Sequence, residues 1–348
     1  MNFTSNVSNM LLPAKITMCI SISGLILNVF LCFVIFSNHF FRRTTYRLIA
    51  VTVISDAITN FMLTINYAFS LLNTHNVVFS RYLCKIVMFI MSTSYAVSIF
   101  TLCLIAVGNY IIIKKPLGVF PAFFKPHRTV MLSMASVVIA ICISIPLLCI
   151  VDVYDDLPIF CDFVHVANYA SNYTVFLIAH AVVLYVIPSI LLIVTYGKII
   201  FQMMRFNQPI SSSYQQFKDR KRRKLIKVLS AVTMLDVIIT WPCFASTISM
   251  AISRYSQRQL GEINATFGIL VILSLTTTIA ISIINPISFL ALDAEIQKGS
   301  KYTLKKVIHS CATLNLLSRF GNQQNQHRIV PIKNKLPNTV INIINRQN

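Results

Sequence analysis

Seven stretches of this chain are apolar for the length a helix needs to cross a lipid bilayer, and that feature constrains the fold more than any other. A helix rises about 1.5 Å per residue, so a hydrocarbon core of about 30 Å takes roughly 20 apolar residues. Seven windows meet that length, at roughly 16–38, 46–72, 86–113, 129–151, 174–197, 228–253 and 263–292. Five of them hold no Asp, Glu, Lys or Arg; Asp56 lies within the second and Asp236 within the sixth. Barrel strands are excluded, because they run about ten residues with alternating polarity. Across the 348 residues, 11% are charged and 56% hydrophobic. Soluble domains carry about 25% charged residues, so these are too few to cover a soluble surface, and a soluble enzyme is excluded on that ground. No phosphate loop, metal-ligand cluster or nucleophile–base set appears either. The reading is an all-α membrane protein that is not an enzyme. The head Met1–Pro13 carries no basic residue, so the first span is expected to act as a signal-anchor rather than a cleaved leader.

Charge sets the expected orientation. Of the thirty Lys and Arg, only Lys15, Arg81, Lys85, Arg254 and Arg258 fall on one side of the seven spans. The excess basic side is expected to be cytoplasmic, which puts the amino terminus outside. The net charge of +20 then needs no nucleic acid, since a basic face is drawn to anionic lipid. The sequons at Asn2, Asn6, Asn172 and Asn264 all fall on the side expected to be extracellular, where they are candidate glycosylation sites. The chain divides into a glycosylated head at 1–14, a seven-span domain with a membrane-surface helix at 15–310, and a disordered Asn- and Gln-rich cytoplasmic tail at 311–348.

Most of the nine cysteines lie within spans, where a small buried apolar residue is the plain reading. Cys84 and Cys161 lie toward the oxidising side, and a disulfide between them would pin the second outer loop across the mouth of the bundle. That loop carries Asp152, Asp155, Asp156 and Asp162 and no Lys or Arg. The acids either keep the loop soluble or form a rim that concentrates a cationic ligand. The histidines are scattered and suggest no metal site; His180 reads as a satisfied core polar group.

An ionisable group inside a membrane must face the interior and find partners. Asn28, Ser98, Ser282 and Asn285 are placed to supply oxygen ligands around Asp56, a set that suits Na⁺ or a proton. Asp236 has no evident basic partner and is assigned only to the interior. Pro146, Pro188, Pro242 and Pro286 each remove a helix hydrogen bond and mark hinges in spans four to seven.

Taken in order, these residues resemble the rhodopsin-like (class A) G-protein-coupled receptors. The resemblance rests on Gly24 and Asn28, Asp56, Cys84 and Ser98, Pro116-Leu117, Cys161, Pro188 and Tyr196, and Trp241-Pro242. It closes with Asn285-Pro286-Ile287-Ser288-Phe289, like the family's Asn-Pro-x-x-Tyr with Phe for Tyr. It implies a seven-transmembrane helix bundle that binds an extracellular ligand between spans three, five, six and seven. Span six would pivot at Pro242, with Trp241, Pro188, Pro286 and Phe289 as switch and hinge positions, and open a cleft for a heterotrimeric G protein. Na⁺ at Asp56 would favour the closed state.

The chain departs from the pattern at the inner end of span three. The family's Asp-Arg-Tyr reads Gly108-Asn109-Tyr110, with Tyr196 opposite on span five, and the acidic partner on span six is replaced by Arg220-Lys221-Arg222-Arg223. Without that ionic latch the resting state is expected to be loosely held, or coupling to be weak. Trp241 directly precedes Pro242, where the family leaves one residue between them, and Ser136 stands near the place of the span-four Trp. Span seven has no Lys for retinal, and span three has Met91 where amine receptors carry an acid. A peptide is therefore the expected ligand. Residues 293–309 are expected to form a short amphipathic helix on the membrane, weakened by Gly299, with Cys311 beyond it as a palmitoylation candidate. The competing readings are a transporter or channel, for which the chain shows no internal repeat, and a heptahelical scaffold that does not couple.

Overall fold

The computed structural model describes residues 3–41, 44–72, 76–114, 126–164, 172–205 and 213–309. Seven helices in it are long and apolar enough to span a membrane, at Ala14–Ser37, Thr45–Phe69, Val77–Ile111, His127–Ile150, Asn172–Met204, Ile226–Ser253 and Thr266–Leu292. Each expected window falls on one of them. The outward faces are apolar too: Ile26, Phe36, Met134, Ile190, Ile238 and Ile269 are all more than half exposed. A continuous apolar exterior of this kind is a liability in water and suits a lipid surround.

The helices run beyond the windows. Span one starts at Phe3 and ends at Ser37, so part of the expected head is helical. Span three extends from Val77 to Lys114 and span six from Ser213 to Ser253. Asn2, Pro116-Leu117, Cys311 and the tail lie outside the described residues, as does the side chain of Asn6.

The prolines act differently from one another. Span four breaks at Ile145–Pro146 and resumes as a short helix, Leu147–Ile150. Span five is helical over Asn172–Ala181, widens into a π turn at Val182–Val186, and resumes at Ile187–Arg205. Pro188 lacks the N–H that would close a regular turn there, and the wide turn absorbs the mismatch. Pro242 and Pro286 stay inside continuous helices. Near Pro242, the hydroxyls of Thr240, Ser246 and Thr247 donate to the carbonyls of Asp236, Pro242 and Cys243 at 2.8, 2.8 and 2.9 Å.

Two features lie outside the seven expected spans. The second outer loop folds into an antiparallel hairpin, β1 (Asp152–Tyr154) and β2 (Leu157–Asp162), with Asp155 and Asp156 at the turn. A three-residue strand such as β1 is too short to leave a period in the sequence. Between spans six and seven, a short helix at Gln257–Ile263 begins with a reciprocal cap: Gln259 N donates to Ser256 Oγ at 3.3 Å, and Ser256 N donates to Gln259 Oε1 at 2.9 Å. Arg254, at φ 60°, breaks the chain before it. Asn264 then caps span seven by accepting from Thr266 N at 3.0 Å. Backbones meet here: a Cβ on Gly268 would stand 2.9 Å from the Gly261 Cα.

At the opposite end, Asp293 caps the helix that follows span seven by accepting from the Glu295 and Ile296 amides at 2.8 and 3.2 Å. Tyr46 Oη donates to the same carboxylate at 3.2 Å. Gly299 lies on this helix as a docking contact rather than a weak point: a Cβ there would stand 2.7 Å from the Phe41 ring. Helix continues over residues 301–309, which group apart from the compact unit ending at Ser300.

Candidate functional site

Below the hairpin, spans three, five, six and seven enclose a cavity of about 110 Å³. Its wall is mostly apolar, with Met88, Met91, Leu177, Phe244, Met250 and Val271 among the lining residues, and among the described residues no Asp, Glu, Lys or Arg lines it. Phe244 stacks on Tyr185 with ring centroids 5.1 Å apart and lies 5.2 Å from Tyr95. Part of its polar wall, Ser92 and His180, belongs to a hydrogen-bonded group drawn from three helices. Ser92 Oγ lies 2.9 Å from Ser144 Oγ and 3.0 Å from His180 Nε2. His180 is therefore only half satisfied, since its Nδ1 is buried with no hydrogen-bond partner.

The hairpin roofs this cavity and is tied on two sides. The Cys84–Cys161 disulfide joins it to span three with Cα atoms 5.5 Å apart. Beside the bridge, Arg81 Nε pairs with Asp152 at 2.9 Å, Lys85 Nζ with the same carboxylate at 3.5 Å, and Arg81 with Asp155 at 3.1 Å. On the other side Asp162, fully buried, accepts from the backbone amides of Gln257 and Arg258 at 3.0 Å each and of Phe163 at 2.7 Å. The Tyr154 and Ser256 hydroxyls are 2.6 Å apart, and the Arg258 guanidinium lies over the Tyr154 ring and pairs with Asp156 at 2.8 Å. Phe163 and Gln257, next to this tie, both line the cavity.

These contacts give the expected rim acids partners. Asp152, Asp155 and Asp156 are neutralised by Arg81, Lys85 and Arg258, and Asp162 caps a helix. The loop carries no basic residue of its own, but three of the five on this side reach it from neighbouring elements. Their pairing tunes the acids in opposite directions. Arg258 holds Asp156 below the usual carboxylate range and is itself pushed above its ordinary value by that contact, whereas burial raises Asp162 despite its backbone donors.

The second constellation lies deeper. Asp56 is 8% exposed, and Ser98 Oγ donates to its Oδ1 at 3.3 Å; the Asn285 side chain also addresses the carboxylate. Its Oδ2 has no hydrogen-bond partner. Asn28 and Ser282 form an adjoining network beside Asp56. Asn28 Nδ2 donates to the Ser282 carbonyl at 2.7 Å, and Ser282 Oγ donates to Asn60 Oδ1 at 2.9 Å. Asn60 then donates to the backbone carbonyl of Asp56 at 2.9 Å. Asn60 was not among the expected residues, although an Asn one turn after a membrane Asp is a readable signal. Gly24 is the position that makes room for it, since a Cβ there would stand 2.8 Å from Asn60 Nδ2.

The sequence model described as the 7 transmembrane receptor (rhodopsin family) matches residues 27–289. The chain belongs to that family. It is accordingly a multi-pass membrane receptor, with seven spans in the order the resemblance implied. No curated protein matches the sequence.

Within that family the receptor has its own arrangement of the switch residues. Trp241, one of the expected switch and hinge positions, is 54% exposed on the outer surface of span six. A residue turns a helix by about 100°, so moving the Trp next to Pro242 rotates it out of the bundle. Thr240 occupies the inward direction and is fully buried, within 3.5 Å of Tyr95 Oη, and Phe244 supplies the aromatic bulk below the cavity. At the tail end, Gly108 and Asn109 are buried and Tyr110 is partly so. Tyr196 and Phe289, 0% and 1% exposed, pack in one apolar cluster with Cys103, Ile226 and Leu229. Asn172 and Asn264 are both exposed at the hairpin end.

Proposed function

We propose that this receptor binds an extracellular ligand in the cavity under the hairpin and passes the change to a heterotrimeric G protein at its tail end. The observation that carries the reading is the cavity itself. It is bounded by spans three, five, six and seven, and it sits directly above the Pro242 turn of span six. A ligand shifts such an equilibrium only by binding one arrangement better than the other, and a cavity that reaches Phe244 and Thr247 on span six allows that difference. The hairpin end faces outward in this reading, supported by the excess of Lys and Arg at the other end and by the two exposed sequons.

The expected peptide ligand fits only through an uncharged, apolar segment. Pairing of the hairpin acids weakens the electrostatic argument for a cationic ligand, and the cavity wall offers apolar contact with a few hydrogen-bonding groups around His180 and Ser92. Na⁺ at Asp56, with Ser98 and Asn285, would favour the closed arrangement. The oxygen-only donor set and the unpartnered Asp56 Oδ2 support such an ion.

A specific feature favours a non-coupling scaffold as the second reading: the tail end of span three offers the neutral, buried Asn109 in place of an arginine. A G-protein activation assay in cells, run against a library of peptides and small amines, separates the two. Activation by neutral-ended peptides, lost in Phe244→Ala at unchanged surface expression, is the expected result. Ligand binding without activation of any G-protein class would establish the scaffold.

A further inference from the structure

We propose that Asp236 of span six is the second carboxylate of the core cation site, so that a hard cation is held between two acids, one on span two and one on span six. The inference rests on the Asp56 reading above and extends it to a residue that had no assigned role. Both side chains are buried, Asp56 at 8% and Asp236 at 4% exposed. Each keeps one oxygen without a hydrogen-bond partner, Asp56 Oδ2 and Asp236 Oδ1. Asp236 lies one turn before Thr240 on span six, so the two share the helix face that meets span three. Ser98 donates to Asp56 at 3.3 Å, while Tyr95, three residues earlier, reaches Thr240 Oγ1 at 3.5 Å, and that hydroxyl donates to the Asp236 carbonyl at 2.8 Å. The two carboxylates lie in each other's electrostatic field.

Like charges brought together in a low-dielectric interior are costly unless something positive joins them. The spans described offer no Lys or Arg at this depth, as the interiors of spans two, three, six and seven show in sequence. The compensating charge therefore comes from solution. The available donors are all oxygens: two carboxylates, the Ser98 hydroxyl and the Asn285 amide. Oxygen-only sets select hard cations such as Na⁺ or Ca²⁺ over soft or borderline metals. Placing one ligand on span six, six residues before Pro242, makes the ion a strut between the static part of the bundle and the helix that carries the proline turn. Withdrawing span six would pull one carboxylate from the ion, so the ion opposes that movement directly.

The test uses the purified full-length receptor in detergent, with unfolding temperature as the readout and no receptor ligand added. NaCl is titrated against choline chloride at constant ionic strength, with a second series in CaCl₂, for the wild type, Asp56→Asn, Asp236→Asn and the double variant. A cation-dependent rise in the wild type is expected in at least one series. The half-saturating concentration should increase roughly tenfold or more in each single variant, as loss of one charge at short range implies, and the response should vanish in the double variant. If Asp236→Asn titrates like the wild type while Asp56→Asn loses the response, the proposal is overturned and the Asp56 site stands alone. If the wild type responds to neither salt, both readings fall. Should Asp236→Asn not fold, Asp236→Glu serves in its place. It keeps the charge on a longer arm, so a moved half-saturation supports the site and an unmoved one overturns it.

Discussion

At the scale of single residues, the interior is shaped by what is missing as much as by what is present. Gly24 has no Cβ because Asn60 occupies that space, and Asn60 is the link between Ser282 and the Asp56 backbone. Gly197, on an exposed face of span five, has nothing within 4 Å of where its Cβ would be. The two should respond oppositely to the same change. Gly24→Ala is expected to cost about 1–3 kcal/mol through displacement of Asn60. Gly197→Ala should leave stability unchanged or raise it by about 0.5–1 kcal/mol, because alanine loses less entropy in a helix. Thermal unfolding of the two variants side by side checks this, and equal losses would mean that the Gly24 contact is not what holds Asn60. Asn60 and Gly24 were legible as polar and small residues within spans. Their contact was not, since it joins helices whose relative rotation no single sequence states.

At the scale of elements, the hairpin and the short helix before span seven form one tied unit. Replacing Asp162 by Asn would turn an amide NH₂ toward a backbone N–H that now donates to a carboxylate oxygen, at a cost of about 1–3 kcal/mol. The pH dependence has a definite sign. Burial raises the Asp162 carboxyl, so the folded state prefers its protonated form more than the unfolded chain does. Stability linked to Asp162 is then full below the ordinary carboxylate value and is lost as pH rises through the raised one. The gap in unfolding temperature between the wild type and Asp162→Asn should therefore widen on going from about neutral to about pH 4. A gap that narrows would mean the folded unit prefers the charged carboxylate. Asp156, held low by Arg258, acts in the opposite sense, and its contribution is lost only at more acid pH. The four acids were legible as an acidic loop. Their partners were not, because Arg81 and Lys85 lie on span three and Arg258 follows span six. The Ser256-x-x-Gln259 cap, by contrast, was readable from spacing and passed unnoticed.

At the scale of the whole molecule, apolar side chains pack across the tail end. The expectation of a loosely held resting state followed from the missing arginine and its acidic partner. The structure puts Tyr196, Ile199, Ile226, Leu229 and Phe289 there, each no more than 2% exposed, in one apolar cluster. Apolar closure is insensitive to salt and to pH, whereas an ionic latch is sensitive to both. Leu229→Ala should remove part of this plug, at about 2–5 kcal/mol in stability. It should also speed the reaction of Cys103, now 9% exposed in the same cluster, with a small water-soluble thiol reagent. Peptide mapping distinguishes Cys103 from Cys142 and Cys149, which are exposed already. An unchanged rate at Cys103 would place the seal elsewhere.

The number of spans and their places along the chain, the bridging pair Cys84–Cys161 and the buried acid Asp56 were all determined by the sequence alone. Each depends on a property that a residue carries along the chain: apolar length against a fixed bilayer thickness, or the cost of a charge within it. The paired hairpin acids, the outward Trp241 and the Asn60 network were decided only by the tertiary structure. They depend on which faces of different helices meet, and a turn of about 100° per residue makes that answer change with every one-residue shift in register.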